Sequence, residues 1–133
     1  MQRQASRRMR FLDEDRGSAS LELTIVFPVV LALLFTALQA GMWFYARAVA
    51  MSAAQEGVRH TRVVEGTAAA GESAARRFGE TTGKGVITIT GVDVSDGDQV
   101  TVTVTGDALS LLPGITFTVT QTASGPKEQV VTQ

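Results

Sequence analysis

The chain has no cysteine among its 133 residues, which excludes disulfides and thiolate zinc sites. It has a single histidine, His60, between Arg59 and Thr61 in a helical pattern, where it reads as a solvated helix residue rather than a base or ligand. Asp93, Asp96 and Asp98 surround a turn, but their spacing fits no calcium loop and no glutamate follows at the position such a loop requires. Gly83 and Gly85 flank Lys84 without the spacing, or the following Ser or Thr, of a phosphate-binding loop. An enzyme is therefore not expected, and neither is a metal or a cofactor. Residues 47–133 carry seven basic and nine acidic side chains, a near balance that gives no reason to expect nucleic acid as a partner.

The most informative absence is local. From Leu23 to Ala46 there are 24 consecutive residues without a charge, broken only by Thr24, Thr36 and Gln39 as polar groups. As a helix rising about 1.5 Å per residue this run is about 36 Å long, enough to cross a hydrocarbon core of about 30 Å with some tilt. The lipid bilayer is the first partner the sequence implies. A cleaved signal peptide is the competing reading, but its apolar core is normally shorter, and the first suitable small-residue site is Ala48-Val49-Ala50, beyond the run. Cutting there would release a small secreted domain. Five arginines precede the run (Arg3, Arg7, Arg8, Arg10 and Arg16), against three in the near downstream flank. That bias predicts a cytoplasmic N-terminus and an extracytoplasmic C-terminal domain.

Just before the run stands "DRGSASLEL", residues 15–23, in which Glu22 is the last charge. A carboxylate there has two explanations: an anion in the first turn of a helix, favoured by the dipole, or part of a processing signal. Pro28 removes the hydrogen bond that would reach the Thr24 carbonyl, so a kink near residues 24–28 is expected, tolerable in a membrane helix with a threonine hydroxyl nearby. Past the apolar run, Ala46, Ala50, Ala53 and Gly57 recur on one helical face. Such a smooth stripe admits another backbone closely, either in the same domain or on a neighbouring subunit.

Gly66 ends this pattern, and "TAAAGESAARRF" predicts a short second helix with Ala70, Ala74 and Phe78 on one face and a Glu72–Arg76 pair. Residues 79–85, "GETTGKG", read as a loop. From Val86 the period becomes two: Val100, Val102 and Val104 alternate with threonines, as do Ile115, Phe117 and Val119, giving half-buried antiparallel strands. In the first strand, Ile87 and Ile89 have the opposite parity to Val92 and Val94, so a bulge at Gly91 is expected to restore a common face. An odd-length turn around "SDGDQ" keeps the valines together, pairing Val94 with Val100 and Val92 with Val102. Leu109, Leu111 and Leu112 form an apolar connection that either folds over the open end of the core or serves as a docking tip for membrane or partner. The tail "ASGPKEQVVTQ" reads as turn-rich and frayed.

The order "RGSASLELTIVFPVVLALLF" then "YARAVAMSAAQEGVR" resembles the N-terminal region of TadE-like proteins of the Tad (Flp) pilus system. The matching positions are Arg16, Gly17, Glu22, Pro28 and Gly41, with Ala53, Ala54, Glu56, Gly57 and Arg59 matching an "AA-x-EG-x-R" stretch. The resemblance covers about residues 16–59. Leu23 departs from it, standing where processed Tad pseudopilins often carry an aromatic.

The resemblance implies a small pseudopilin of a family in which a prepilin peptidase cuts some members after a glycine, here between Gly17 and Ser18, while TadG-like relatives share the transmembrane pattern without that processing. After such a cut Glu22 becomes the fifth mature residue, placed to pair with a neighbour's new amine. It also implies other pilin-like subunits, or proteins of the Tad assembly platform, as partners. The expected fold is α+β and pilin-like: a basic cytoplasmic leader (1–17), a single-pass transmembrane helix with an exported extension (18–64), and an exported domain (65–133) with a short helix and a small antiparallel sheet. The competing function is a signal-anchored extracellular binding module.

Overall fold

The computed structural model describes residues 5–63 and 65–128, the first fifteen of these by backbone alone. The elements run α1 (Ala5–Arg62), α2 (Ala68–Thr82), β1 (Ile87–Asp96), β2 (Gln99–Ala108) and β3 (Phe117–Pro126). They fall into two compact units, Met1–Leu38 and Gln39–Gln133.

The first unit consists of the N-terminal part of α1. Its large apolar side chains from Leu21 to Leu38 are 39–71% exposed. The Thr24 and Thr36 hydroxyls donate to the carbonyls one turn back, at Ser20 and Ala32, each at 2.8 Å. A polar side chain in an apolar helix satisfies itself in this way without a second helix. Pro28 lies inside α1, which continues through it. The Thr24 hydroxyl does not turn to the carbonyl that Pro28 leaves free, because the Ser20 carbonyl is in ideal reach.

The second unit is an α+β domain assembled on the C-terminal part of α1. The sheet has the order β1-β2-β3, antiparallel throughout. Val100, Val102 and Val104 are fully buried, while Thr101, Thr103 and Thr105 face the other way. On that outer face the threonines pair across to β3, Thr101 with Ser124 at 3.1 Å and Thr103 with Thr122 at 3.0 Å. Period-two alternation thus sorts one apolar face from one hydroxyl-lined face. The helices cover the apolar face. Gly57 of α1 lies against Val102, Gly125 of β3 against Val58 and Arg62, and Gly79 of α2 against Ile89. The core they enclose is built of alanine, valine and isoleucine.

The bulge expected in β1 is present: the register shifts between Ile89 and Gly91, leaving Thr90 as the extra residue. Ile87, Ile89 and Val92 are accordingly all buried, with Val94 partly so. Gly91 does not adopt a positive φ, and a Cβ there would meet only the Thr105 Cβ, at 3.9 Å. The bulge therefore does not require glycine's left-handed conformation. The β1–β2 turn is odd in length, as expected, but the pairing is two residues further along than anticipated. Val94 faces Val102, Val92 faces Val104 and Asp96 faces Val100. A two-residue slip leaves every side chain on its face, so alternation cannot detect it.

Four other expectations are corrected. The second helix extends to Thr82, so residues 79–82 are helical rather than loop. Its buried face is Gly71, Ala75 and Gly79, while Ala70, Ala74 and Phe78 stand beside it, exposed or half-exposed. Close approach to α1 selects for smallness rather than hydrophobicity. A methyl on Gly71 would collide with the Thr61 side chain and fall 2.8 Å from the Gly57 carbonyl oxygen. Ile115 is exposed and lies ahead of β3. The presumed frayed tail, in contrast, is strand as far as Pro126, because Ala123 and Gly125 complete the face that meets α1. Beyond it Lys127 Nζ reaches Asp96 Oδ1 at 2.7 Å, and the Glu128 N–H donates to the Arg62 carbonyl at 2.9 Å. The last part of that tail, residues 129–133, lies outside the described residues.

Candidate functional site

The candidate residues divide between the two units. In the first, Glu22 is exposed at the start of the apolar run. Helix α1 already begins at Ala5, however, and no acidic residue lies in its first turn. Dipole stabilisation is confined to about one turn, so in the uncut chain it does not reach Glu22. A helix end near Glu22 would exist only if the chain were cut at Gly17–Ser18. The backbone there is helical, and the side chains of both residues lie outside the described residues.

In the second unit Gly41 is exposed, with nothing near enough to touch an added Cβ. The stripe of Ala46, Ala50, Ala53 and Gly57 is wholly buried. It is covered by this domain's own α2 and sheet, so it is not available to a neighbouring subunit. Thr61 continues the stripe, buried, with its hydroxyl bonded to the Gly57 carbonyl at 2.9 Å. Beside it runs an open groove of about 480 Å³ between α1 and α2, with Glu56, His60, Arg77 and Phe78 in its walls. There Glu56 meets His60 at 3.2 Å and Arg59 at 3.5 Å. Among the described residues no cluster of three or more potential metal-ligating side chains occurs.

The Leu109–Leu112 connection is held open rather than folded over the core. Leu109, Leu111, Leu112 and Ile115 are 39–48% exposed. Pro113 and Gly114, with φ of 80° at the glycine, form a tight turn closed by the Ile115 N–H on the Leu112 carbonyl at 3.3 Å. One side chain from α1 fixes this connection. Gln39 donates through Nε2 to the Leu109 carbonyl at 3.1 Å and accepts the Leu111 N–H on Oε1 at 2.8 Å. Sequence reasoning passed over Gln39 as a mere interruption of the apolar run. Its signal was there: an amide, rich in both donors and acceptors, in a segment otherwise short of polar groups.

These features define a class: an α+β domain built on the end of one helix that is long and apolar enough, by length and composition, to cross a membrane. Within that class, residues 17–59 match the family model described as TadE-like protein. No curated protein and no solved structure matches the chain.

Proposed function

We propose that this chain is a membrane-anchored, non-catalytic, pseudopilin-like component that supports assembly of a Tad-type pilus or a related secretion apparatus. The observation that carries the reading is the TadE-like match over residues 17–59, which spans the apolar segment, Glu22 at its edge and the first part of the core helix. The N-terminus lies in the cytoplasm and the α+β domain outside, as the arginine bias favours. A prepilin peptidase cuts between Gly17 and Ser18. Glu22 then stands in the first turn of the shortened helix, and its carboxylate pairs with the new amine of a neighbouring subunit, offsetting part of the cost of an isolated ion in lipid.

The test compares mature mass and pilus yield for Glu22→Gln and Gly17→Leu against wild type. Gly17→Leu should leave a chain heavier by residues 1–17, and Glu22→Gln should sharply reduce piliation while the protein still inserts. Normal piliation in both would remove the assembly role. The α1–α2 groove is the observation that favours a binding module instead. Release near Ala50 fares worse, since Val49 and Ala50 are buried within α1 and the cut would strip Ala46 from the core.

A further inference from the structure

The geometry points to a second membrane-contacting element in this protein: the β2–β3 connection, residues 109–115, seated in the bilayer surface through which α1 passes. The assignment rests on α1 crossing a membrane. Its occupant is lipid, and the reason is where the connection is tied. Gln39, which holds both the Leu109 carbonyl and the Leu111 N–H, lies inside the uncharged stretch and eight residues ahead of Arg47, the first charge after it. At about 1.5 Å per residue the tie sits about 12 Å deeper along the helix than Arg47. Counted from Leu23, a hydrocarbon core takes about 20 residues, which ends near Met42 and beyond Gln39. The leucines are therefore tied to the start of Gln39–Ala46, the part of the uncharged run that belongs to the second unit, and not to its charged end.

The chemistry of the connection suits that depth. No charge occurs from Ala108 to Pro126. Backbone N–H groups are costly in lipid unless paired. Four of the six N–H groups of residues 109–115 are paired: Leu109 donates to the Val86 carbonyl at 2.7 Å, Leu111 to Gln39, Leu112 to Ser110 Oγ at 3.1 Å and Ile115 to Leu112, while Pro113 has no N–H to satisfy. The surroundings match a membrane–water boundary. Phe44 and Tyr45 are exposed on α1, Trp43 is half-buried beside them, and Arg47 lies 5.6 Å over the Trp43 ring. Aromatic rings with adjacent cations favour the headgroup level. Lys84, exposed, lies two residues before Val86, whose carbonyl holds the Leu109 N–H. The exposed leucines, with no obvious role in a soluble domain, thus become a second anchor that fixes how the domain stands on the bilayer.

The absence of cysteine makes the test direct. Full-length protein carrying one nitroxide-labelled cysteine is reconstituted in phosphatidylcholine–phosphatidylglycerol vesicles. Accessibility to oxygen, which concentrates in lipid, is compared with that to a water-soluble nickel chelate. Val30→Cys reports on the span, Asp98→Cys on the turn between β1 and β2, and Leu112→Cys and Leu109→Cys on the connection. The oxygen-to-nickel ratio is expected to be several-fold higher at 112 and 109 than at 98, and on the same side of unity as at 30. A ratio at 112 and 109 equal to that at 98, with 30 in lipid, overturns the membrane contact alone. An aqueous reading at 30 overturns the span itself. Shielding of 112 from both reagents that vanishes when the protein is diluted in lipid identifies a second protein copy as the occupant and also overturns the proposal.

Discussion

One helix is built in two ways. Between Leu21 and Leu38, α1 presents leucine, isoleucine, valine and phenylalanine in every direction. Between Ala46 and Thr61 it turns inward a face made mostly of alanine and glycine, with Val49, Val58 and Thr61, and leaves Arg47, Gln55, Arg59 and His60 outward. The difference shows what each medium selects. Lipid is as apolar as leucine, so a helix suited to cross it needs bulk and no particular face. A small domain packed on a helix needs closeness, and small side chains bring backbones together where larger ones would hold them apart. Hydrophobicity alone would rank the first stretch as the better core, yet the second is where the core is.

The sharpest way to break this contrast is to add bulk to the close-packed face. Gly71→Val forces a side chain into Thr61 and the Gly57 carbonyl and should cost about 3 kcal/mol, the upper part of the overpacking range, read as the denaturant midpoint of the full chain in detergent micelles. Removing bulk tests the other side. Val102→Ala, at a fully buried site, should cost about 2 kcal/mol in the same measurement, whereas Leu33→Ala, 66% exposed in the apolar run, should leave the midpoint unmoved. Equal losses at 33 and 102 would mean that the two regions of α1 do not differ in the way described. The smallest effect is expected at Gly91→Val: the glycine has no positive φ, the space is open and strand propensity favours valine, so the midpoint should shift by less than about 0.5 kcal/mol. A loss above 1 kcal/mol would restore a conformational demand at the bulge.

What could be read from the sequence follows the same division between pattern and proximity. The uncharged run, the Val/Thr alternation and the phase change at Gly91 are properties of neighbours along the chain, and they located the helix, the strands and the bulge. The buried face of α2 was missed because glycine and alanine carry almost no hydropathy signal, although Gly71, Ala75 and Gly79 keep helical spacing. The two-residue displacement of the β1–β2 pairing and the extension of β3 to Pro126 depend on partners in other strands and in α1. At the candidate site, Glu22, Gly17 and Pro28 were singled out by their order in the chain. Gln39 was not, because its partners lie 70 and 72 residues further on. The position of Glu22, deep inside a helix that begins at Ala5, was likewise invisible without the structure and removed the dipole as its explanation in the uncut chain.

The shared helix also sets an order of events. During synthesis α1 is complete long before β3, which must arrive to cover Val58 and Arg62 and to bring Glu128 to the Arg62 carbonyl. Pairings so distant along the chain form slowly, and the waiting surface is a hazard in proportion to its stickiness. Here that surface is mostly alanine, with Val49 and Val58 its only larger buried apolar members on α1, so it is among the less adhesive faces a helix can offer. The domain can therefore finish late, on a helix already made, without the Ala46–Gly57 stripe presenting a row of bulky apolar side chains to passing chains in the interval.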